Sequence, residues 1–107
     1  MKIKKNSDLN NKIKRKSKYE ITIDYPRDEE IISYREHYAI RVGTPNNGIV
    51  QISIDGGEFV QCRYAAGYWW YDWCDIPLGQ HTIVARLVDP NTKRVLKKSN
   101  QVRCVVK

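Results

Sequence analysis

Beyond residue 18, apolar and polar residues alternate along most of the chain. In residues 19–25, Tyr19, Ile21, Ile23 and Tyr25 fall on one face of an extended segment, and Glu20, Thr22 and Asp24 on the other. Period two is the signature of a half-buried strand. The pattern returns in 37–43 with Tyr38, Ile40 and Val42 inward, and in 49–55 with Val50, Ile52 and Ile54 inward and Gln51 and Ser53 outward. It returns again in 79–88 through His81, Ile83, Ala85 and Leu87, and in 95–107 through Val102, Cys104 and Val106. A short return strand is expected over 58–63, and Ile31 and Ile32 as a brief visit to a sheet edge. Turn residues separate these runs: Pro26, the stretch Gly43-Thr44-Pro45-Asn46-Asn47-Gly48, Asp55-Gly56-Gly57, and Asp89-Pro90-Asn91. No helical periodicity of any length is present. About seven short strands with frequent turns predict an all-β, two-sheet antiparallel sandwich.

One run is far more aromatic than the rest. Tyr68-Trp69-Trp70-Tyr71-Asp72-Trp73-Cys74 holds all three tryptophans of the chain. As a strand it puts Trp69, Tyr71 and Trp73 on one side and Tyr68, Trp70, Asp72 and Cys74 on the other. The first set is uniformly aromatic and is expected in the core, since aromatics bury the most area. The second set is mixed and is expected at a surface. Trp70 and Tyr68, with Tyr64 nearby, are therefore candidate contacts for a protein or a sugar. The bland alternative folds the Ala65-Ala66-Gly67 loop over Trp70.

Charge changes the picture at one end only. Residues 1–18 carry eight basic side chains against Asp8 alone, a net of +7, which is also the net charge of the whole 107-residue chain. Residues 19–107 are balanced. A flexible basic tail over 1–18 and a folded domain over 19–107 are expected, because the tail holds too few large apolar residues to offset its ordering entropy. Lys12, Lys14, Arg15, Lys16 and Lys18 form a cluster suited to sequence-blind contact with an anionic surface. No apolar run approaches the roughly 18 residues of a membrane-spanning helix. The basic start is not followed by the apolar stretch of a secretory signal, which favours a cytoplasmic or assembly-associated setting.

The three cysteines leave at least one unpaired. Cys62 and Cys74 lie in consecutive extended segments and are the candidate disulfide pair. No spacing matches a zinc site. His37 and His81 have no Ser or Cys in a nucleophile setting, and turn roles explain Asp55, Asp75 and Asp89 as well as a carboxylate pair or a calcium site would. His81 is expected as a structural histidine bonded to a turn carbonyl. No metal, cofactor or catalytic residue is expected.

Three segments together resemble the bacterial immunoglobulin-like domains, which are similar to fibronectin type III modules. These are Val50-Gln51-Ile52-Ser53-Ile54-Asp55-Gly56, then the aromatic run 69–73, then Gly79-Gln80-His81-Thr82 continuing to Asp89. The resemblance spans about residues 19–107 and implies an Ig-like sandwich that acts as a scaffold or adhesion module. It departs from the family pattern in its doubled Trp69-Trp70. The expected function is a non-enzymatic structural or interaction module, docking a protein partner through its sandwich surface and tethered to a larger assembly by its basic tail. The alternative is a carbohydrate-binding module using Tyr64, Tyr68 and Trp70.

Overall fold

The computed structural model describes residues 18–107. The expected tail, with Lys12, Lys14, Arg15 and Lys16, lies outside the described residues; Lys18 is inside them and exposed. Ten strands follow in chain order: β1 (Thr22–Tyr25), β2 (Glu30–Ile32), β3 (His37–Gly43), β4 (Ile49–Ile54), β5 (Val60–Gln61), β6 (Arg63–Ala65), β7 (Tyr68–Cys74), β8 (Gly79–Val88), β9 (Val95–Lys98) and β10 (Val102–Val106). They form two sheets. One has four strands in the order β1-β3-β7-β6. The other has β2-β10-β8-β4-β5, with β9 pairing β8.

The alternating residues meet between the sheets. Ile40 and Val42 of β3 and Val50 and Ile52 of β4 have no exposed surface, nor do Ile83, Ala85 and Leu87 of β8 or Val106 of β10. Each large member contributes about 1.5–3 kcal/mol by leaving water. Of the aromatic set, Trp73 is fully enclosed at 5% exposure, while Trp69 and Tyr71 are half-buried and pack against the core. The reason is local. β6 is a three-residue edge strand, so the sandwich stands open beside the start of β7.

Three departures from the sequence expectation have clear causes. The return strand divides: β5 pairs β4 in one sheet, β6 pairs β7 in the other, and buried Cys62 marks the crossing. The sandwich is not wholly antiparallel, because β2 runs parallel to β10. After β1 leaves the four-stranded sheet, the chain crosses to the second sheet, where Glu29 donates its N–H to the Arg103 carbonyl at 2.6 Å. Ser53, expected outward, is buried, because the turn after β4 folds back and its hydroxyl donates to the Gly57 carbonyl at 2.7 Å.

The candidate pair Cys62 and Cys74 is not bonded in the structure. All three cysteines are free thiols. Cys62 points into the core at the sheet crossing, whereas Cys74 ends β7 on the exposed side, so the two side chains lie on different faces.

Candidate functional site

The outer face of the four-stranded sheet is built by register. Strand pairing sets Tyr25 of β1 opposite Arg41 of β3, Arg41 opposite Trp70 of β7, and Trp70 opposite Arg63 of β6. Directly opposed residues share a face. A row of Tyr25, Arg41, Trp70 and Arg63 therefore crosses the whole sheet on the side away from the core.

Each member is held. The Arg41 guanidinium carbon lies 4.8 Å from the Tyr25 ring centroid and 4.0 Å from that of Tyr68, a double cation–π contact. Its Nε donates to Asp24 Oδ2 at 3.1 Å. Tyr68 and Trp70 meet edge to face with centroids 6.3 Å apart. The Trp70 indole N–H donates to the Ala65 carbonyl at 2.8 Å, which ties it to the β6–β7 turn. Arg63 reaches both oxygens of Asp72, at 3.1 and 3.3 Å, and His37 Nε2 lies 3.1 Å from Asp72 Oδ1. The hydrogen bond from Arg63, and next that from His37, hold the Asp72 carboxyl below its usual range.

Of the contact residues named from sequence, Tyr68 and Trp70 are brought together. Tyr64 is not with them. It pairs with Trp69 across β6 and β7, on the opposite face, with ring centroids 5.2 Å apart. The three do not make one platform. The indole bond to Ala65 joins Trp70 to the loop considered as its cover, yet the ring stays half-buried rather than enclosed. Tyr25, Arg41, Arg63 and Asp72 were missed as members of the face. Arg41 and Asp72 alternate with inward residues of their strands, whereas Tyr25, expected on the face of Ile21 and Ile23, comes opposite Arg41 through a register shift between Ile23 and Tyr25. The alternation becomes informative once the register sets Arg41 and Arg63 beside Trp70.

His81 is buried, with Nε2 bonded to the Pro77 carbonyl at 2.7 Å. Among the described residues, no group of three or more His, Cys, Asp or Glu could hold a metal ion. None of their helices is long and apolar enough to cross a membrane.

No known protein family and no curated protein matches the sequence. In structure the chain is similar to the fibronectin(III)-like modules of Clostridium thermocellum CbhA, at 19% identity and TM-score 0.65, over 82% of this chain and 96% of that one. It is also similar to a lytic polysaccharide monooxygenase of Jonesia denitrificans, at 20% identity and TM-score 0.51, over 77% of this chain and 60% of that one. The chain has the fibronectin type III/immunoglobulin-like β-sandwich fold. A fold of this kind hosts many functions and does not by itself assign one.

Proposed function

We propose that this chain is a non-enzymatic interaction module that docks a protein partner through the outer face of its four-stranded sheet. The observation that supports this most is the ordered row Tyr25, Arg41, Trp70 and Arg63. Tyr, Trp and Arg are the residue types that dominate protein interfaces. Here their side chains are already fixed by stacking and hydrogen bonds, so docking orders little that was loose. The charges along the row are balanced, Arg41 against Asp24 and Arg63 against Asp72, which suits a mixed protein surface rather than a polyanion. The basic cluster of the first 18 residues would add a tether to a larger anionic assembly. A sugar platform on the same face is less well supported. Arg41 already lies against the Tyr68 ring, and the Tyr68 and Trp70 rings stand at 76° to each other, so they offer no common flat surface.

The test compares affinity capture by the intact protein with capture by Trp70→Ala and Arg63→Ala, using Gln101→Ala as a distant control. All four are first shown to melt cooperatively. Loss of the same captured protein from both face variants, with retention by the control, is the expected result. Equal capture by all four would remove the face from consideration.

A further inference from the structure

Trp69 occupies an inward position of β7, yet it is only half-buried, while Trp73 on the same face is enclosed. Beside Trp69 stands Tyr64, 64% exposed on the edge strand, with the two rings inclined at 58°. Opposite them runs the loop of residues 44–48 between β3 and β4. Together they bound a groove of about 410 Å³, lined by Thr44, Pro45, Asn47, Tyr64 and Trp69 among others. That volume falls within the range of about 300–1,000 Å³ typical of small-ligand sites.

Hydrogen bonds hold the groove wall in place. The Thr44 hydroxyl donates to the Glu20 carbonyl, and Thr44 Oγ1 accepts the Asn46 N–H at 3.1 Å. Asn46 Oδ1 accepts the Glu20 N–H at 2.9 Å, and its Nδ2 donates to the Lys18 carbonyl at 3.4 Å. Other polar groups of the lining residues are left over. The Asn47 amide, the Trp69 indole N–H and the Tyr64 hydroxyl make no hydrogen bond among the described residues. Trp70 differs, its indole being tied to Ala65.

No charged side chain lines the groove, in a chain of which 29% is charged. A charged ligand would find no counter-charge there. We infer that this groove binds a neutral glycan, with the flat face of one pyranose ring against the Tyr64–Trp69 pair. The C–H groups of such a face carry partial positive charge and meet the negative faces of the aromatic rings. The hydroxyl rim both donates and accepts, which matches an amide, a phenol and an indole N–H. An all-proline stretch would use the same aromatic faces, but it has no backbone N–H and its carbonyls only accept, so the Asn47 Oδ1 would remain without a donor. The site lies across the sheet from the Trp70 row, and the inference does not depend on the docking role given to that row.

The experiment follows the three indole N–H resonances of the isotopically labelled full chain by NMR, assigned with Trp→Phe variants. Cellohexaose, xylohexaose and mannohexaose are each titrated to millimolar concentration. A saturable shift of the Trp69 resonance with at least one hexaose is expected, with the Trp70 resonance unmoved. Tyr64→Ala, at an exposed position, should weaken that binding at least about tenfold while keeping the native spectrum, and Trp70→Ala should leave it unchanged. Absence of any Trp69 shift with all three sugars overturns the inference. So does undiminished binding by Tyr64→Ala, or a shift produced by a proline-rich decapeptide and by no sugar.

Discussion

His81 Nδ1 lies 2.7 Å from Asp55 Oδ2, and this contact clamps the start of β8 to the turn that ends β4. Asp55 completes the clamp through Oδ1, which accepts the Thr82 N–H at 2.9 Å. The Trp73 ring packs perpendicular to the imidazole, with centroids 5.1 Å apart. The Pro77 carbonyl on Nε2 can only accept, so that nitrogen carries a proton. With a carboxylate on Nδ1, the doubly protonated ring is the form that satisfies both partners.

A pH dependence follows. Burial acts to lower the His81 pKa, but the Asp55 hydrogen bond, the Pro77 hydrogen bond and the Asp55 charge outweigh it, and the net shift is upward. A group whose folded pKa is raised gives stability that is full below its unfolded value, about 6.5 for histidine, and lost as pH rises through the folded value. Urea unfolding should therefore show stability falling on the alkaline side of about pH 6.5. His81→Gln should flatten that fall. An unchanged slope in the variant would assign it elsewhere. At the acid end the sign reverses. Asp28, Asp72 and Asp89 are all held low, first by the Arg103 N–H, by Arg63 and by the Asn91 N–H respectively. Their contribution is present above about pH 3.9 and disappears as pH falls through the folded values.

Thiol chemistry should divide the cysteines by place. Burial pushes the Cys62 thiol up to about 12. Burial first, and then the Asp55 and Glu30 charges, push Cys104 up to about 11. The thiolate is the reactive form, and both of these are enclosed. Cys74 is exposed. Iodoacetamide labelling of the native protein near neutral pH, read by peptide mass mapping, should mark Cys74 alone, with Cys62 and Cys104 following only in denaturant. Labelling of Cys62 at the rate of Cys74, or recovery of a Cys62–Cys74 linked peptide, would contradict the sheet crossing described here.

The strands were legible because alternation reports burial directly. Ile40, Val42, Val50, Ile52, Ile83, Ala85, Leu87 and Val106 all lie where period two puts them. Alternation is silent about which sheet a strand joins. Cys62 keeps its inward phase while the chain passes from β5 to β6, so one expected strand became two in different sheets. Residues 95–107 also divided, here within one sheet, because β9 and β10 pair successive parts of β8. The site suffered for a related reason. Tyr64 and Tyr68 are four apart and would share a face on one straight strand. The turn at Ala66 and Gly67 reverses the chain between them and puts Tyr64 with Trp69 instead.

That turn carries the last prediction. Ala65 pairs with Tyr68, leaving Ala66 and Gly67 as the two central residues, with φ of 54° and 83°. Two positive φ values suit the twist of a tight hairpin, and they favour Asn or Asp followed by Gly. Alanine has no polar group to compensate for its Cβ in this region, at a cost of about 1–2 kcal/mol. Ala66→Asn should therefore raise stability, by on the order of 1 kcal/mol. Gly67→Ala should lower it by about 1–2 kcal/mol, and that loss is purely one of backbone conformation, since an added Cβ would meet nothing within 4 Å. Thermal and urea unfolding of the pair measure both signs. Trp70 fluorescence should be preserved in Ala66→Asn, because the Ala65 carbonyl that accepts the indole N–H belongs to the strand and not to the substituted residue. A destabilised Ala66→Asn, or a neutral Gly67→Ala, would mean that the chain between β6 and β7 does not turn as described.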